Sequence, residues 1–308
     1  LPHPMKEQLR VDAPAKINLA LHVTGQRADG YHTLETIAVF ANIGDRITAE
    51  PADRDVFEIT GPEAAALGRE DPNRNLVIRA RNLLRSLLAD AGTDAPPVAL
   101  TLEKHLPAGS GIGGGSADAA ATLRALIALW DCREISDQLD RHLVTLGADV
   151  PMCRHGKPLV ASGIGETLTP LANLPALAMV LTNPRQHAST PAVFSKLSEK
   201  HNPPLPLDGV ADIQNAPDWA AWLKTATRND LQAPSLSMAP EIDACLAALE
   251  GTGALLSRMS GSGATCFGLY GNAAQAEAAA TLLLRHHPDW WIKSCMTGPS
   301  AGVRHEPH

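Results

Sequence analysis

A two-domain α+β protein is the fold class that this sequence predicts. The chain has 308 residues, 44% of them hydrophobic, enough to remove most of its surface from water in one large core or two modest ones. Strand-like and helix-like segments interleave along it. They do so without the strict strand-helix-strand repetition that builds a parallel α/β sheet.

The elements read as follows. Ile17, Leu19, Leu21 and Val23 alternate with Asn18, Ala20, His22 and Thr24, the period-two pattern of a strand with one buried face. A polar turn over Gln26 to Gly30 leads to a second β-rich run, Thr33 to Phe40, as in a hairpin. Arg46 to Glu50 and Val56 to Thr60 read as further strands. Leu76, Ala80, Leu83, Leu84, Leu87, Leu88 and Ala91 fall at helical spacing, so a helix is expected over Asn75 to Ala91, closed by Gly92. Val98 to Glu103 is a strand, Ser116 to Trp130 a helix of good helix formers, and Ile135 to Gly147 another. The second half opens on the apolar run Leu177 to Thr182 and crosses a proline-rich stretch, Pro203 to Pro217, that reads as a surface loop. Helices are expected at Glu241 to Glu250 and Ala273 to His287, strands at Ala254 to Met259, Thr265 to Tyr270 and Trp291 to Met296.

Composition removes several functions. With 33 acidic and 26 basic residues the formal net charge is −7, so nothing draws the whole chain to nucleic acid or an anionic membrane. Apolar runs such as Ala176 to Leu181 fall far short of the ~20 residues of a membrane span. Cys132, Cys153, Cys245, Cys266 and Cys295 are scattered, odd in number and without zinc spacing, which suits reduced thiols in a cytoplasmic protein. Met5-Lys6-Glu7-Gln8 reads as a natural start, with Leu1 to Pro4 as a remnant, and the polar tail Arg304 to His308 as disordered.

Chemistry concentrates in Leu106-Pro107-Ala108-Gly109-Ser110-Gly111-Ile112-Gly113-Gly114-Gly115-Ser116, with five glycines in seven residues ahead of a helix. Backbone without Cβ atoms can approach a phosphate closely, and unpaired N–H groups at the positive end of a helix dipole supply the counter-charge. A flexible hinge is the bland alternative; an N-capping Ser116 and an alanine-rich helix after it argue against one. A P-loop would need lysine before the serine, where Gly115 stands. Gly109, Gly111 and Gly114 satisfy G-x-G-x-x-G, but no first strand, helix, strand and acidic residue frame them as a dinucleotide fold requires.

The loop resembles the phosphate loop of the GHMP kinases. So do Pro14-Ala15-Lys16-Ile17-Asn18-Leu19, Gly25-Gln26-Arg27-Ala28-Asp29-Gly30-Tyr31-His32, Gly147-Ala148-Asp149-Val150-Pro151 and Ser260-Gly261-Ser262-Gly263-Ala264, over nearly the whole chain. Ser110 and Gly114 depart from the commonest spelling but stay small. The resemblance implies an N-terminal nucleotide-binding α/β domain over residues 5–165 and a C-terminal ferredoxin-like α+β domain over 166–300. It also implies an ATP-dependent phosphotransferase with Mg²⁺, for which no metal ligands are assigned. Within the superfamily the chain is most similar to the branch that phosphorylates the 2-hydroxyl of a cytidine diphosphate-linked polyol for isoprenoid precursor synthesis.

Roles carry over by motif. Asp149 matches the catalytic aspartate, which takes the hydroxyl proton; the pre-proline restriction at Val150 is expected to hold this segment extended. Lys16 matches the lysine beside it, although a lone lysine at a strand edge is ordinarily a solvated charge. Pro107 through Ser116 are assigned to the ATP phosphates, and Asn75 and Lys104 to the nucleoside side. Asn75 could equally cap its helix and Lys104 be an exposed strand-end charge. Asn18, Tyr31, His32, Asp149, Thr190 and Phe194 are assigned to the acceptor, with His32 and Phe194 covering the two faces of the pyrimidine. Another GHMP kinase acting on a sugar, homoserine or a mevalonate derivative, or a non-catalytic nucleotide-binding protein, are the competing readings. The Tyr31-His32 pair and Phe194 oppose the first, and Lys16 with Asp149 the second.

Overall fold

In a computed structural model of the chain, residues 8–67, 71–186, 189–298 and the backbone of 304–306 are described. The expected start at Met5, the remnant before it and the outer domain limits at 5 and 300 lie outside these residues.

The first two strands, β1 (Gln8–Gln26) and β2 (His32–Pro51), form one long antiparallel hairpin. It absorbs both β-rich runs and the separate strand expected at Arg46 to Glu50. Sequence alternation implied one buried face, yet every residue from Ala13 to Val23 is buried. The polar face is covered because Asn229 and its neighbours run alongside: Leu21 donates to the Arg228 carbonyl, and Asp230 donates back to Leu21. Register shifts fall at Pro14/Lys16, Asn18/Ala20 and Val23/Gly25, bulges that re-aim side chains on either side of Lys16 and Asn18.

β3 (Val56–Thr60) and β4 (Val98–Glu103) extend this sheet beside β2, paired in parallel with each other. On its other end β2 pairs with β5 (Leu159–Gly163), which pairs with β6 (Thr167–Pro170). α1 (Leu76–Asp90), capped by the Asn75 side chain on the Val77 N–H, packs against α2 (Gly114–Leu129), which packs on β1 and β2. The core beneath them includes Phe40, Ile47, Leu84, Leu100, Leu102 and Leu123, all essentially inaccessible, each stabilising the fold by about 1.5–3 kcal/mol through burial. The single helix expected over Ile135 to Gly147 is broken into α3 (Ser136–Asp140) and α4 (Leu143–Leu146). α5 (Val150–His155) then starts where extended chain was expected. Pro151 sits in its first turn, where a missing N–H costs nothing.

The second half builds a four-stranded antiparallel sheet from β7 (Ala178–Asn183), β8 (Leu256–Met259), β9 (Cys266–Tyr270) and β10 (Trp291–Met296), in the order β10-β7-β9-β8. Between β7 and β8 lie α6 (Thr190–Ser195), α7 (Ala216–Ala226), α8 (Gln232–Leu236) and α9 (Glu241–Gly251), and between β9 and β10 lies α10 (Ala273–His286). With α9 and α10 as its crossovers, the path β7-α9-β8-β9-α10-β10 is the ferredoxin-like split βαβ arrangement.

The proline-rich stretch is a mostly exposed surface loop, as expected, and it is docked: the Pro203 carbonyl accepts from His22 Nδ1 and Arg228, the Leu205 N–H donates to Glu35, and α7 begins within its last residues. The expectation of a disordered C-terminal tail is corrected, since β11 (Arg304–Glu306) pairs antiparallel with Gln8 to Arg10 of β1. Among the described residues, no helix is long and apolar enough to cross a membrane. All five cysteines are buried and unpaired.

Candidate active site

The glycine loop opens α2 earlier than the sequence suggested. Gly113, in left-handed conformation, is the N-cap residue, and Gly114, Gly115 and Ser116 form the first helical turn, so Ser116 is not the cap. That leaves the first N–H groups of a sixteen-residue helix facing a pocket with no side-chain cap on them. Gly111 has φ +77°, and a Cβ there would lie 2.6 Å from the Ser260 carbonyl oxygen. Glycine is required twice over at this position, by conformation and by contact.

The loop is stapled to its surroundings. Lys16 N–H donates to the Ile112 carbonyl at 2.9 Å and Thr265 N–H to the Ser110 carbonyl at 3.0 Å. Ser260 Oγ donates to the Gly111 carbonyl and accepts from the Asn18 N–H. The Ser260–Gly263 turn thus touches both the loop and β1, and Asn229 holds it from behind through the Met259 and Gly261 carbonyls.

Beside the loop, Lys16 Nζ donates to Asp149 Oδ2 at 2.8 Å and to Asn18 Oδ1 at 2.9 Å. Lys16 is only 3% exposed, not a solvated edge charge, while Asp149 retains 35% exposure toward the pocket. Asp149 occupies the N-cap position of α5 but makes no capping hydrogen bond, which leaves its carboxylate free for Lys16. Asn18 Nδ2 in turn donates to Thr36 Oγ1, and Thr36 to the Ala20 carbonyl. The chain of donors fixes Lys16 by geometry as well as charge. Thr36 was not among the expected residues; its place on β2 opposite β1 is visible only once the hairpin register is known.

These groups line one cavity of about 560 Å³, with Gly109, Ser116, Thr190, Phe194 and Ser262 on other walls. Thr190 and Ser262 join their hydroxyls at 2.7 Å. Phe194, on α6, stacks on His32 with ring centroids 4.9 Å apart and planes at 25°. Burial first, then the charge of Lys200, holds the His32 imidazole below its ordinary pKa. Among the described residues its Nε2 has no hydrogen-bond partner. Tyr31 is 64% exposed at the hairpin tip and does not line the cavity.

A second cavity of about 480 Å³ adjoins the first across Gly109 and Gly115, bringing together Asn75, Lys104, Ala108 and Asp118. Pro107 and Ile112 are buried and line neither cavity. Lys104 is no exposed strand-end charge: its ammonium lies buried between Asp45 and Asp118. Burial works to lower its pKa, but Asp118 and Asp45 outweigh that and hold it above the usual lysine value. Burial pushes the Asp118 carboxyl up to about 7 against the pull of Lys104, with the Asp45 charge adding to the rise.

Comparison with known proteins identifies the family. Residues 75–161 match the GHMP kinases N terminal domain and residues 210–288 the GHMP kinases C terminal model. A 4-diphosphocytidyl-2-C-methyl-D-erythritol kinase of Rhizobium meliloti (strain 1021) is 51% identical over 94% of this chain and 95% of its own. One from Agrobacterium fabrum (strain C58 / ATCC 33970) is 49% identical over 92% and 95%. The crystal structure of a 4-(cytidine 5'-diphospho)-2C-methyl-D-erythritol kinase superposes with a TM-score of 0.75 at 33% identity, covering 94% of this chain and 99% of that one. A homoserine kinase from Cytophaga hutchinsonii ATCC 33406 shares the fold, with a TM-score of 0.68 at 18% identity over 99% of each chain. On both domain matches and on relatives that align nearly end to end, the chain belongs to the GHMP kinase family.

Proposed function

We propose that this protein transfers the γ-phosphoryl group of ATP to the 2-hydroxyl of 4-diphosphocytidyl-2-C-methyl-D-erythritol. The observation that carries the reading is the 2.8 Å pair of Lys16 and Asp149 in a cavity walled by the uncapped start of α2. The near full-length relatives of that name support the choice of acceptor.

Phosphoryl transfer asks the protein to align the hydroxyl, offset charge on the transferred oxygens and receive a proton. Asp149 takes the proton. Lys16, fixed by Asn18, supplies positive charge beside it, and the N–H groups of Gly113 to Ser116 face the triphosphate. Asn75 and Lys104 flank the cavity assigned to the nucleoside. Thr190 and Asn18 bound the acceptor, while His32 and Phe194 receive its cytosine, with Tyr31 at the hairpin tip as the outer rim.

The donor set suits a magnesium ion brought in by the nucleotide. Among the described residues no group of three metal-ligating side chains exists, but Asp149 and Ser116 both face the cavity, and Mg²⁺ carried on phosphates needs one or two protein oxygens. When bound, the ion would neutralise charge on the β and γ phosphates. A cytoplasmic setting accords with five reduced, buried cysteines.

The test is Mg²⁺-dependent, ADP-coupled turnover with 4-diphosphocytidyl-2-C-methyl-D-erythritol beside galactose, homoserine and mevalonate, with Asp149→Asn as the blank. Turnover confined to the cytidine compound establishes the reading. Turnover on another acceptor alone would keep the kinase and remove the cytosine assignment.

A further inference from the structure

Apart from the reacting pair, a bidentate ion pair ties the second half of the chain to the wall of the nucleoside cavity. Arg185 Nη1 and Nη2 donate to Glu63 Oε2 and Oε1 at 2.9 and 3.0 Å. Glu63 lies in the connector between β3 and α1, at the N-cap position of the 3₁₀ turn Ala64–Ala66, yet its side chain makes no capping bond there. The carboxylate is committed to the guanidinium instead. Ala66 and Leu67, which follow, line the second cavity, and the Glu63 N–H donates at 3.1 Å to the carbonyl of Lys104, another residue of that lining.

Arg185, two residues past β7, holds a φ of +59°, and among the described residues only Asp131 shares a positive φ without being glycine. That conformation is unfavourable for a residue with a Cβ and persists where surrounding contacts over-determine it, most often beside a functional site. Two contacts do so here. The guanidinium is held by Glu63, and the Arg185 N–H donates to Asn183 Oδ1 at 2.7 Å. Asn183 Nδ2 in turn donates to Thr265 Oγ1, and the Thr265 N–H to the Ser110 carbonyl of the glycine loop. Arg185 is thus referenced to the phosphate side of the nucleotide site and Glu63 to the nucleoside side. Neither lines either cavity, so the two act through neighbours. We infer that Arg185 and Glu63 are positioning residues for ATP, setting the wall from Glu63 to Leu67 at the spacing from the glycine loop that the nucleotide requires. The inference rests on the kinase reading above. A planar guanidinium suits the task because its fork fixes direction as well as distance.

The experiment is calorimetric titration of Mg²⁺-ATP and, separately, of the cytidine acceptor into the wild type, Arg185→Gly, Arg185→Lys, Glu63→Gln and the double variant of Glu63→Gln with Arg185→Gly. Thermal unfolding is followed alongside. Glycine adopts positive φ without strain, so Arg185→Gly removes the guanidinium while the melting temperature stays nearly constant. Arg185→Gly and Glu63→Gln should each weaken ATP by about three- to tenfold, Arg185→Lys by less, and the double variant by no more than the stronger single one. Affinity for the acceptor should not move. Unchanged ATP affinity in either single variant, additive losses in the double variant, or an equal loss for the acceptor would each overturn the assignment while leaving the kinase reading in place. A wild type that binds no ATP would overturn that reading and this inference with it.

Discussion

Lys16 and Asp149, 133 residues apart in the chain, meet at 2.8 Å with the lysine buried and the carboxylate half-exposed. The pair joins the central hairpin to the start of α5. Asp149→Asn preserves the shape and a hydrogen-bond acceptor for Lys16 while removing the base. It should lower kcat by about 10²–10⁴-fold, with KM for ATP and the melting temperature little changed. Steady-state kinetics and thermal unfolding check this; a kcat within threefold of the wild type would take Asp149 out of the proton transfer.

His32 and Phe194 stack on each other at 4.9 Å. A base between two rings needs them about 7 Å apart, two contact distances of ~3.5 Å, so the rings must part to admit it. His32→Ala should raise KM for the cytidine acceptor by about 5- to 150-fold, the equivalent of ~1–3 kcal/mol of stacking, and leave KM for ATP alone. Equal rises for both substrates would indicate general damage to the site.

Gly111→Ala places a methyl 2.6 Å from a backbone oxygen at a φ of +77°. The expected result is loss of ATP binding and a melting temperature lower by several degrees, because both the loop and the Ser260–Gly263 turn must shift. Gly92→Ala, at φ +70° with open space around its Cβ, is the control: it carries the backbone strain without the collision, and should keep activity.

His22 is wholly buried, its Nδ1 donating to the Pro203 carbonyl and its Nε2 accepting from the Arg228 N–H. Burial first, then the Arg228 charge, depresses its pKa. The unfolded chain therefore takes up a proton near pH ~6.5 that the folded chain refuses, and stability from this group is lost as pH falls below that value. His22→Gln retains a donor and an acceptor without titrating. Its melting temperature should fall less steeply than that of the wild type between about pH 7 and pH 5.

Asp118 acts with the opposite sign. Its carboxyl sits at about 7 in the folded chain against 3.8 ordinarily, so the folded state holds a proton that the unfolded state releases, and stability declines as pH rises between those values. Asp118→Asn should flatten that decline while Asp45 keeps Lys104 paired; thermal unfolding across the same range measures it.

Local signals in the sequence located most elements. β3, β4 and β10 end where turn residues and alternation place them, and the cap at Asn75 and the stop at Gly92 bound α1 as their chemistry requires. The failures share a cause in non-local contact. Alternation along β1 showed a polar face but not that residues some two hundred positions later cover it. Lys16 and Lys104 each looked like ordinary strand-end charges because the carboxylates that bury them, Asp149 for one and Asp45 and Asp118 for the other, come from different elements. Val150-Pro151 read as extended chain because a proline that interrupts a helix interior is harmless in its first turn. The site's residue types were legible from motif; their hydrogen-bond order, and the part of Thr36 in it, required the hairpin register.

In the ladder between β1 and β11, Gln8 stands opposite Glu306, so these two positions lie about 5 Å apart across a single strand spacing. A few residues could bridge them. Lys16 is eight residues further along β1, roughly 26 Å at ~3.3 Å per residue, which keeps such a bridge clear of the reacting pair. The exposed turn at Gly92 to Asp94, between α1 and β4, offers a place for new ends. The same kinase could thus be encoded in rearranged order, starting at β4 and finishing at α1, with the hairpin that carries Lys16 and Asn18 left as one unbroken stretch in the middle of the chain.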